Sequence, residues 1–185
     1  MEFQISNPMT EEEVVRAFAE HGITYKTRAS RYQRLNGTIF ETVKAKYYIA
    51  YHPTVKEGKP IAVQGIAPYN NIFLLTGLVS HAKESGLTRE QTRGAGLWVS
   101  QKVVDLHSHR PIVGAAMPQG LPVFVDRQGF QKIEFEENME VVGQDDIPEE
   151  VKEVLEKLER EQSPTTAIRK LYYRPVSNWF YIMRK

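Results

Sequence analysis

The residues of this chain best suited to chemistry are Gln91-Thr92-Arg93-Gly94-Ala95-Gly96, which lie between a strand-like apolar run and a helix-like one. Two close glycines at the mouth of a helix let backbone N–H groups approach a phosphate. The helix N-terminus adds partial positive charge there, and Arg93 adds a formal one. The segment reads as a pyrophosphate cradle, and so as a site for a nucleotide-like cofactor. Three phosphate-binding patterns can be held against it. A P-loop needs Gly-Lys-Ser/Thr after the turn, where this chain has Leu97-Trp98. A dinucleotide fingerprint needs Gly-x-Gly-x-x-Gly, and Val99 occupies the third glycine's place. The pattern Gln/Arg-x-x-Gly-x-Gly/Ala is met by Gln91 to Gly96.

Two other groupings could do chemistry. His107-Ser108-His109 invites a metal reading, but histidines two apart at a helix end do not face one ion well, and no acid-rich partner adjoins them. Cationic histidines suit that end of a helix, so a surface helix terminus, with no metal, is the expectation. The basic run Lys26, Arg28, Arg31 and Arg34 interleaves with Tyr25 and Tyr32, and Arg169, Lys170 and Arg174 could extend it. That pattern fits a nucleic-acid edge or a solvated surface. With 24 basic and 23 acidic residues the net charge is +1, so bulk charge demands no polyanionic partner.

These residues must be held by a small set of elements. Phe3 to Ser6 looks like a short strand. Thr10-Glu11-Glu12-Glu13 opens a helix as a capping box, Val14, Val15, Phe18 and Ala19 supply its apolar face, and Gly22 stops it. Thr38 to Tyr51 reads as a long strand, Pro60 to Ala67 as the next, Pro68-Tyr69-Asn70-Asn71 as a tight turn, and Ile72 to Ser80 as a central apolar strand. These make an antiparallel meander. Leu97, Trp98, Val99, Val103, Val104 and Leu106 then recur at helical spacing and should form core. Pro111 to Ala116 is a strand, Leu121 to Gln128 a helix ended by Gly129, and Gln131 to Phe135 a strand. Pro148 to Gln162 is an amphipathic helix whose stripe, Val151, Val154, Leu155 and Leu158, should pack on the sheet or on a second copy of the chain, with a lid over a groove as the alternative. Trp179 to Met183 closes the sheet. Residues 1–185 show no clear boundary and read as a single α/β domain. Its sheet is mixed, mostly antiparallel and of about seven strands, with one parallel crossover around the glycine turn.

Composition narrows the class. Of 185 residues 41% are hydrophobic, enough for a sizeable core, and the absence of cysteine excludes disulfides, thiolate metal sites and Cys nucleophiles. Met1 to Ser6 lacks the basic and apolar regions of a signal peptide, and no apolar run is long enough to cross a bilayer, so a cytoplasmic protein is expected.

The glycine turn, in this order of elements, resembles the GNAT superfamily of acyl-CoA-dependent N-acyltransferases, over about residues 38 to 135 with Trp179 to Met183 as the last strand. A second marker carries the resemblance: Phe124-Val125-Asp126-Arg127-Gln128-Gly129-Phe130, where members often have an aliphatic or aromatic pair, polar residues and Gly-Phe. The resemblance implies splayed central strands that admit acetyl-CoA or another acyl-CoA. It places the CoA pyrophosphate on backbone N–H groups from Thr92 to Leu97 (Thr92, Arg93, Gly94, Ala95, Gly96, Leu97), flanked by Gln91 and Arg93. The pantetheine would run along Ile72–Ser80, with Val79 pairing to it as an extra strand would. The chain departs from the family at Pro118, where many members have Asn, and at Leu121, where they have a small residue. It departs again at Val125, where they have a Tyr that can protonate the leaving thiolate. Ser80 to Glu90 also looks inserted.

Such an enzyme needs a neutral amine, a base for an amine of high pKa, and a donor for the tetrahedral oxyanion. A strand N–H near Val79 could serve as the donor. The candidate bases are His81, with an intrinsic pKa near ~6.5, and Glu84. Their alternative readings are an exposed loop histidine and a solvated loop acid. The expected activity is therefore acyl transfer from CoA to an amine. Two alternatives stay open: a divergent enzyme acting on nucleic acid or a modified base, and a catalytically weak protein that binds the cofactor or a partner. A homodimer is compatible with each.

Overall fold

The computed structural model describes residues 3–25, 45–53, 58–116, 122–133, 147–153, 155–156 and 180–184. Thr10 opens helix α1 (Glu11–Ala19) as expected. Its hydroxyl accepts from the Glu13 N–H at 3.3 Å, and the Glu13 carboxylate accepts from the Thr10 N–H at 2.7 Å. Those bonds, the backbone one foremost, hold the Glu13 carboxyl below the usual carboxylate range. Gly22 takes φ +71 just past the helix. The buried face is narrower than expected: Val14 and Phe18 are buried, while Val15 and Ala19 face solvent. Positions four apart stack on one face, and each next residue turns about 100° off it.

The described strands are β1 (Gln4–Ile5), β2 (Lys46–His52), β3 (Lys59–Tyr69), β4 (Ile72–Ser80), β5 (Ile112–Ala116), β6 (Gln131–Lys132) and β7 (Phe180–Arg184). They form one sheet in the order β1-β2-β3-β4-β5-β7-β6. The meander β2–β3–β4 is antiparallel, β4 and β5 are parallel, and β7 is antiparallel to both its neighbours. The hairpin between β3 and β4 is tighter than the expected four-residue turn: Tyr69 pairs with Ile72, and Asn70 takes the left-handed φ of +50 that asparagine tolerates. Positions 38–44, 134–135, 157–162 and Trp179, expected in strands or in the late helix, lie outside the described residues.

Two layers cover the sheet. On one face Val14, Phe18 and Ile23 pack on Tyr47, Ile49 and Val63. On the other, helix α3 (Ala95–Leu106) buries Val99, Val103 and Val104 against Tyr48, Ala62, Ile66, Leu75 and Ile182. Leu106, expected in that core, is 56% exposed because it falls at the helix's last turn. Trp98 is half-buried against Phe3, with ring centroids 5.6 Å apart. Residues 149–153 and 155–156 are helical, and Val151 and Leu155 are buried by this chain's own residues. The Glu150 carboxylate accepts from Asn71 at 2.9 Å, which ties this helix to the turn before β4 and away from the start of α3.

Candidate cofactor cleft

The short helix α2 (Arg89–Thr92) leads into α3 and uses several of the groups expected in the cradle. Thr88 and Gln91 form a capping box, in which the Gln91 side chain accepts from the Thr88 N–H at 2.9 Å. The Thr92 N–H donates to the Thr88 carbonyl at 3.2 Å. Gln91 and Thr92 thus hold the approach to the cradle, and their polar groups are already engaged within α2. Arg93 is exposed beside it.

Gly94 is the N-cap of α3, at φ +84, and among the described residues no side chain caps the helix. A left-handed N-cap without a Cβ lets the chain turn sharply from α2 into α3. The first α3 amide bonded within the helix is that of Trp98, which donates to Gly94 at 2.8 Å. The N–H groups of Ala95, Gly96 and Leu97 are the orphan donors of the helix start, at its positive end. Position 96 looks toward β4: a Cβ built there would sit 3.9 Å from both δ-carbons of Leu78.

The sheet opens beside these amides. β4 and β5 pair only at Phe73–Ile112 and Leu74–Val113. Beyond that point β4 continues from Leu75 to Ser80 and β5 from Gly114 to Ala116 with no pairing between them. The cause lies in β4. Gln64 pairs with Leu78 and Ile66 with Leu75, so Thr76 and Gly77 oppose Gly65 alone. This extra residue is a β-bulge, which bends the strand that carries it. The Gln64 side chain donates to the Gly65 carbonyl at 2.9 Å, satisfying backbone beside the irregularity. A glycine inside an otherwise apolar strand is the sequence mark of a bulge, and Gly77 carried that mark.

The hydrogen-bond ladder tells which β4 groups face the opening. The His81 N–H donates to Ile61 at 2.7 Å. Bonded pairs recur at every second residue of an antiparallel ladder, so Val79 exchanges its bonds with Val63. The N–H and C=O groups of Leu78 and Ser80 point the other way, into the cleft. Val79, expected to pair with the pantetheine, has a buried side chain, and its peptide groups face β3.

The two candidate bases lie one turn apart, the Glu84 N–H donating to the His81 carbonyl at 3.1 Å. His81 is not an exposed loop residue. It is 3% exposed, with its ring centroid 4.8 Å from that of Phe18 and 5.5 Å from that of Tyr25. Tyr25 is half-buried beside it, and burial pushes its hydroxyl well above the ordinary phenol range. Burial likewise pushes Tyr47 up to about 12. Glu84 is exposed. Lys59 braces the segment through its ammonium, which donates to the Ser85 carbonyl at 3.0 Å.

After β5 the chain makes a π-helical turn, Val123–Arg127, in place of a regular helix, and Val125 is 37% exposed on it. At the far end of α3, His107 bonds through Nε2 to the Tyr48 hydroxyl at 3.0 Å and packs 4.6 Å from the Phe73 ring centroid. Burial and the neighbouring His109 push its pKa below the ordinary value. Among the described residues no three His, Cys, Asp or Glu side chains are grouped to hold a metal, and no helix is long and apolar enough to cross a membrane. Lys26, Arg28, Arg31, Arg34, Pro118, Leu121, Arg169, Lys170 and Arg174 lie outside the described residues.

No family model matches the chain, and neither does any curated protein. Solved structures do. The ribosomal-protein-S18-alanine N-acetyltransferase of Escherichia coli is 9% identical, the match covering 98% of this chain and 92% of that one at a TM-score of 0.50. An acetyltransferase of Bacillus subtilis in complex with CoA is 9% identical over 98% and 97%, at 0.49. An acyl-CoA N-acyltransferase of Pseudomonas aeruginosa is 12% identical over 100% of both chains, at 0.46. At 9% identity the first of these likenesses speaks to fold alone: this chain has a GNAT-type fold, a mixed and mostly antiparallel sheet flanked by helices.

Proposed function

We propose that this chain transfers an acyl group, acetyl in the simplest case, from acyl-CoA to an amine. One observation carries the reading: a bulge opens β4 from β5 beside the uncapped amides at the start of α3. The cleft offers the two kinds of partner that CoA needs. The orphan N–H groups of Ala95, Gly96 and Leu97, with Arg93 next to them, suit a diphosphate. The cleft-facing peptide groups of Leu78 and Ser80 suit the secondary amides of a pantetheine arm, which would add to β4 as a strand does. When bound, acyl-CoA supplies a thioester carbonyl open to attack by an amine.

This chain's residues would do the rest. A strand N–H of β4 at the inner end of the arm would be the donor for the oxyanion. For proton removal, exposure ranks Glu84 first for contact with an acceptor and His81 first for packing. Val125 can donate no proton, but a thiol whose pKa is ~8.5 needs little help to depart near neutral pH.

The test is calorimetry with acetyl-CoA, with Gly94→Glu as the control and a thermal melt to verify folding. Binding by the wild type and its loss in the folded variant support the cradle. A folded wild type that binds no CoA refutes it. With binding in hand, an acceptor panel is read for free thiol. Val125 favours one further reading, a protein that holds acyl-CoA and transfers slowly. That protein would bind CoA and release none across the panel. A nucleic-acid acceptor would instead show salt-sensitive binding weakened by Arg31→Glu or Arg34→Glu.

A further inference from the structure

The cleft has a floor, and its composition is specific. β4 and β5 are last paired at Leu74–Val113, so the next residues on either side are Leu75 and Gly114. A Cβ at Gly114 would lie 3.3 Å from Leu75 Cβ, 3.7 Å from Leu75 Cδ2 and 3.6 Å from Ile182 Cγ1. The Leu75 side chain thus leans across to β5 and fills the space that a side chain at 114 would take. Ile182, paired with Gly114 in the register of β7, backs it. Leu75 is 6% exposed and Ile182 fully buried. A close-packed floor of this kind has no slack for an added methylene.

The length of the cleft sets what meets this floor. The start of α3 adjoins β4 at Leu78, and from Leu78 back to Leu75 the strand spans about 10 Å at ~3.3 Å per residue. A pantetheine arm, with two secondary amides in an extended chain, reaches roughly 15 Å at ordinary bond lengths. An arm anchored at the start of α3 and running along β4 toward its paired end is therefore long enough to bring its acyl group to Leu75. We propose that Leu75, seated on Gly114 and Ile182 at the apex of the cleft, limits the acyl group to short chains. This inference rests on the acyl-CoA reading above and adds the residue that selects the donor.

The experiment is calorimetry of CoA, acetyl-CoA, propionyl-CoA and butyryl-CoA with the wild type, Leu75→Ala and Gly114→Ala. Affinity for free CoA, which has no acyl group, serves as the folding control. In the wild type, affinity should fall at least tenfold from acetyl-CoA to butyryl-CoA. Leu75→Ala should erase or invert that ratio, since each methylene given room to bury is worth about fourfold. Gly114→Ala should press Leu75 into the cleft and weaken acetyl-CoA relative to CoA. Leu75→Val, a smaller cut, is read the same way where Leu75→Ala loses CoA binding through misfolding. A wild type that binds all acyl lengths alike, or Leu75 variants that keep the wild-type ratio, overturns the inference alone. Failure of the folded wild type to bind CoA at all overturns it together with the acyl-CoA reading.

Discussion

Gly96→Ala should make the protein more stable and leave its cofactor affinity unchanged. Gly96 is the second residue of α3 and lacks the positive φ of Gly94, so alanine can adopt its backbone without strain. The added Cβ would meet both δ-carbons of Leu78 at 3.9 Å, an ordinary van der Waals contact. Alanine is favoured over glycine by ~0.8–1.0 kcal/mol in a helix interior, and roughly half of that should survive in the first turn. For a chain of this size about 0.5 kcal/mol raises the melting temperature by roughly 1–2 °C. Binding should be untouched. The N–H of position 96 stays in place, the methyl group projects onto Leu78, and the Gln/Arg-x-x-Gly-x-Gly/Ala pattern admits alanine there. Calorimetry with acetyl-CoA and a thermal melt of the same samples read both numbers. A variant that melts higher yet binds more than about tenfold more weakly, a loss of ~1.4 kcal/mol, would refute the reading of the glycine turn. One that melts lower would refute the contact geometry from which the gain is derived.

Other expectations follow from the same contacts. Thr10→Ala removes the hydroxyl half of the α1 capping box, the acceptor for the Glu13 N–H, and should cost about 1 kcal/mol, seen as a fall in melting temperature with acetyl-CoA affinity unchanged. His81→Ala leaves a hole between Phe18 and Tyr25 and should cost ~2–3 kcal/mol in a denaturant titration. A neutral result there would mean the ring is not part of the core. Glu84→Gln should leave the melt unchanged and, with an amine of high pKa as acceptor, lower kcat by about 100-fold; an unaltered kcat removes Glu84 as the base. His107 is held neutral by burial and His109, its pKa lying below the ordinary 6.5. The unfolded chain then binds the proton first, so stability is fully present above about pH 6.5 and falls as the pH drops through the folded value. Melting curves between pH 8 and pH 5 should show that fall, and His107→Gln should flatten it.

What could be read from the sequence was what short-range chemistry decides. The capping box at Thr10, the stop at Gly22, the central strand Ile72–Ser80 and the glycine turn before α3 each depend on a few adjacent residues, and the structure has them. The cleft was legible only in part. Two glycines pointed to a sharp turn into a helix start, which the structure has at Gly94, but the bonds that α2 makes between Gln91 and Thr88 depend on a local turn that a motif does not describe. That Leu78 and Ser80, and not Val79, face the opening follows from ladder phase, which the bulge and the pairing with β3 set across distant segments. The burial of His81 depends on Phe18 and Tyr25, far off in sequence, closing over it. Val15 and Ala19 show the opposite error: both are apolar and near the right period, yet a small sheet leaves α1 only a narrow strip to cover.

The place of β7 has a consequence for how the molecule is made. This strand lies between β5 and β6, though both precede it in the chain, by about 64 and about 48 residues. During synthesis β5 and β6 must wait, with no partner at their facing edges, until residues 180–184 emerge; at ~5–20 residues per second that is a delay of several seconds. Open strand edges invite pairing with other chains, so this interval is when the nascent protein is most exposed to aggregation. One wall of the cleft is β5, and Ile182 of β7 supports it through Gly114. A ribosome-bound chain stalled before residue 180 should therefore display the start of α3 with no finished cleft beside it. Cofactor capture would then await the docking of β7.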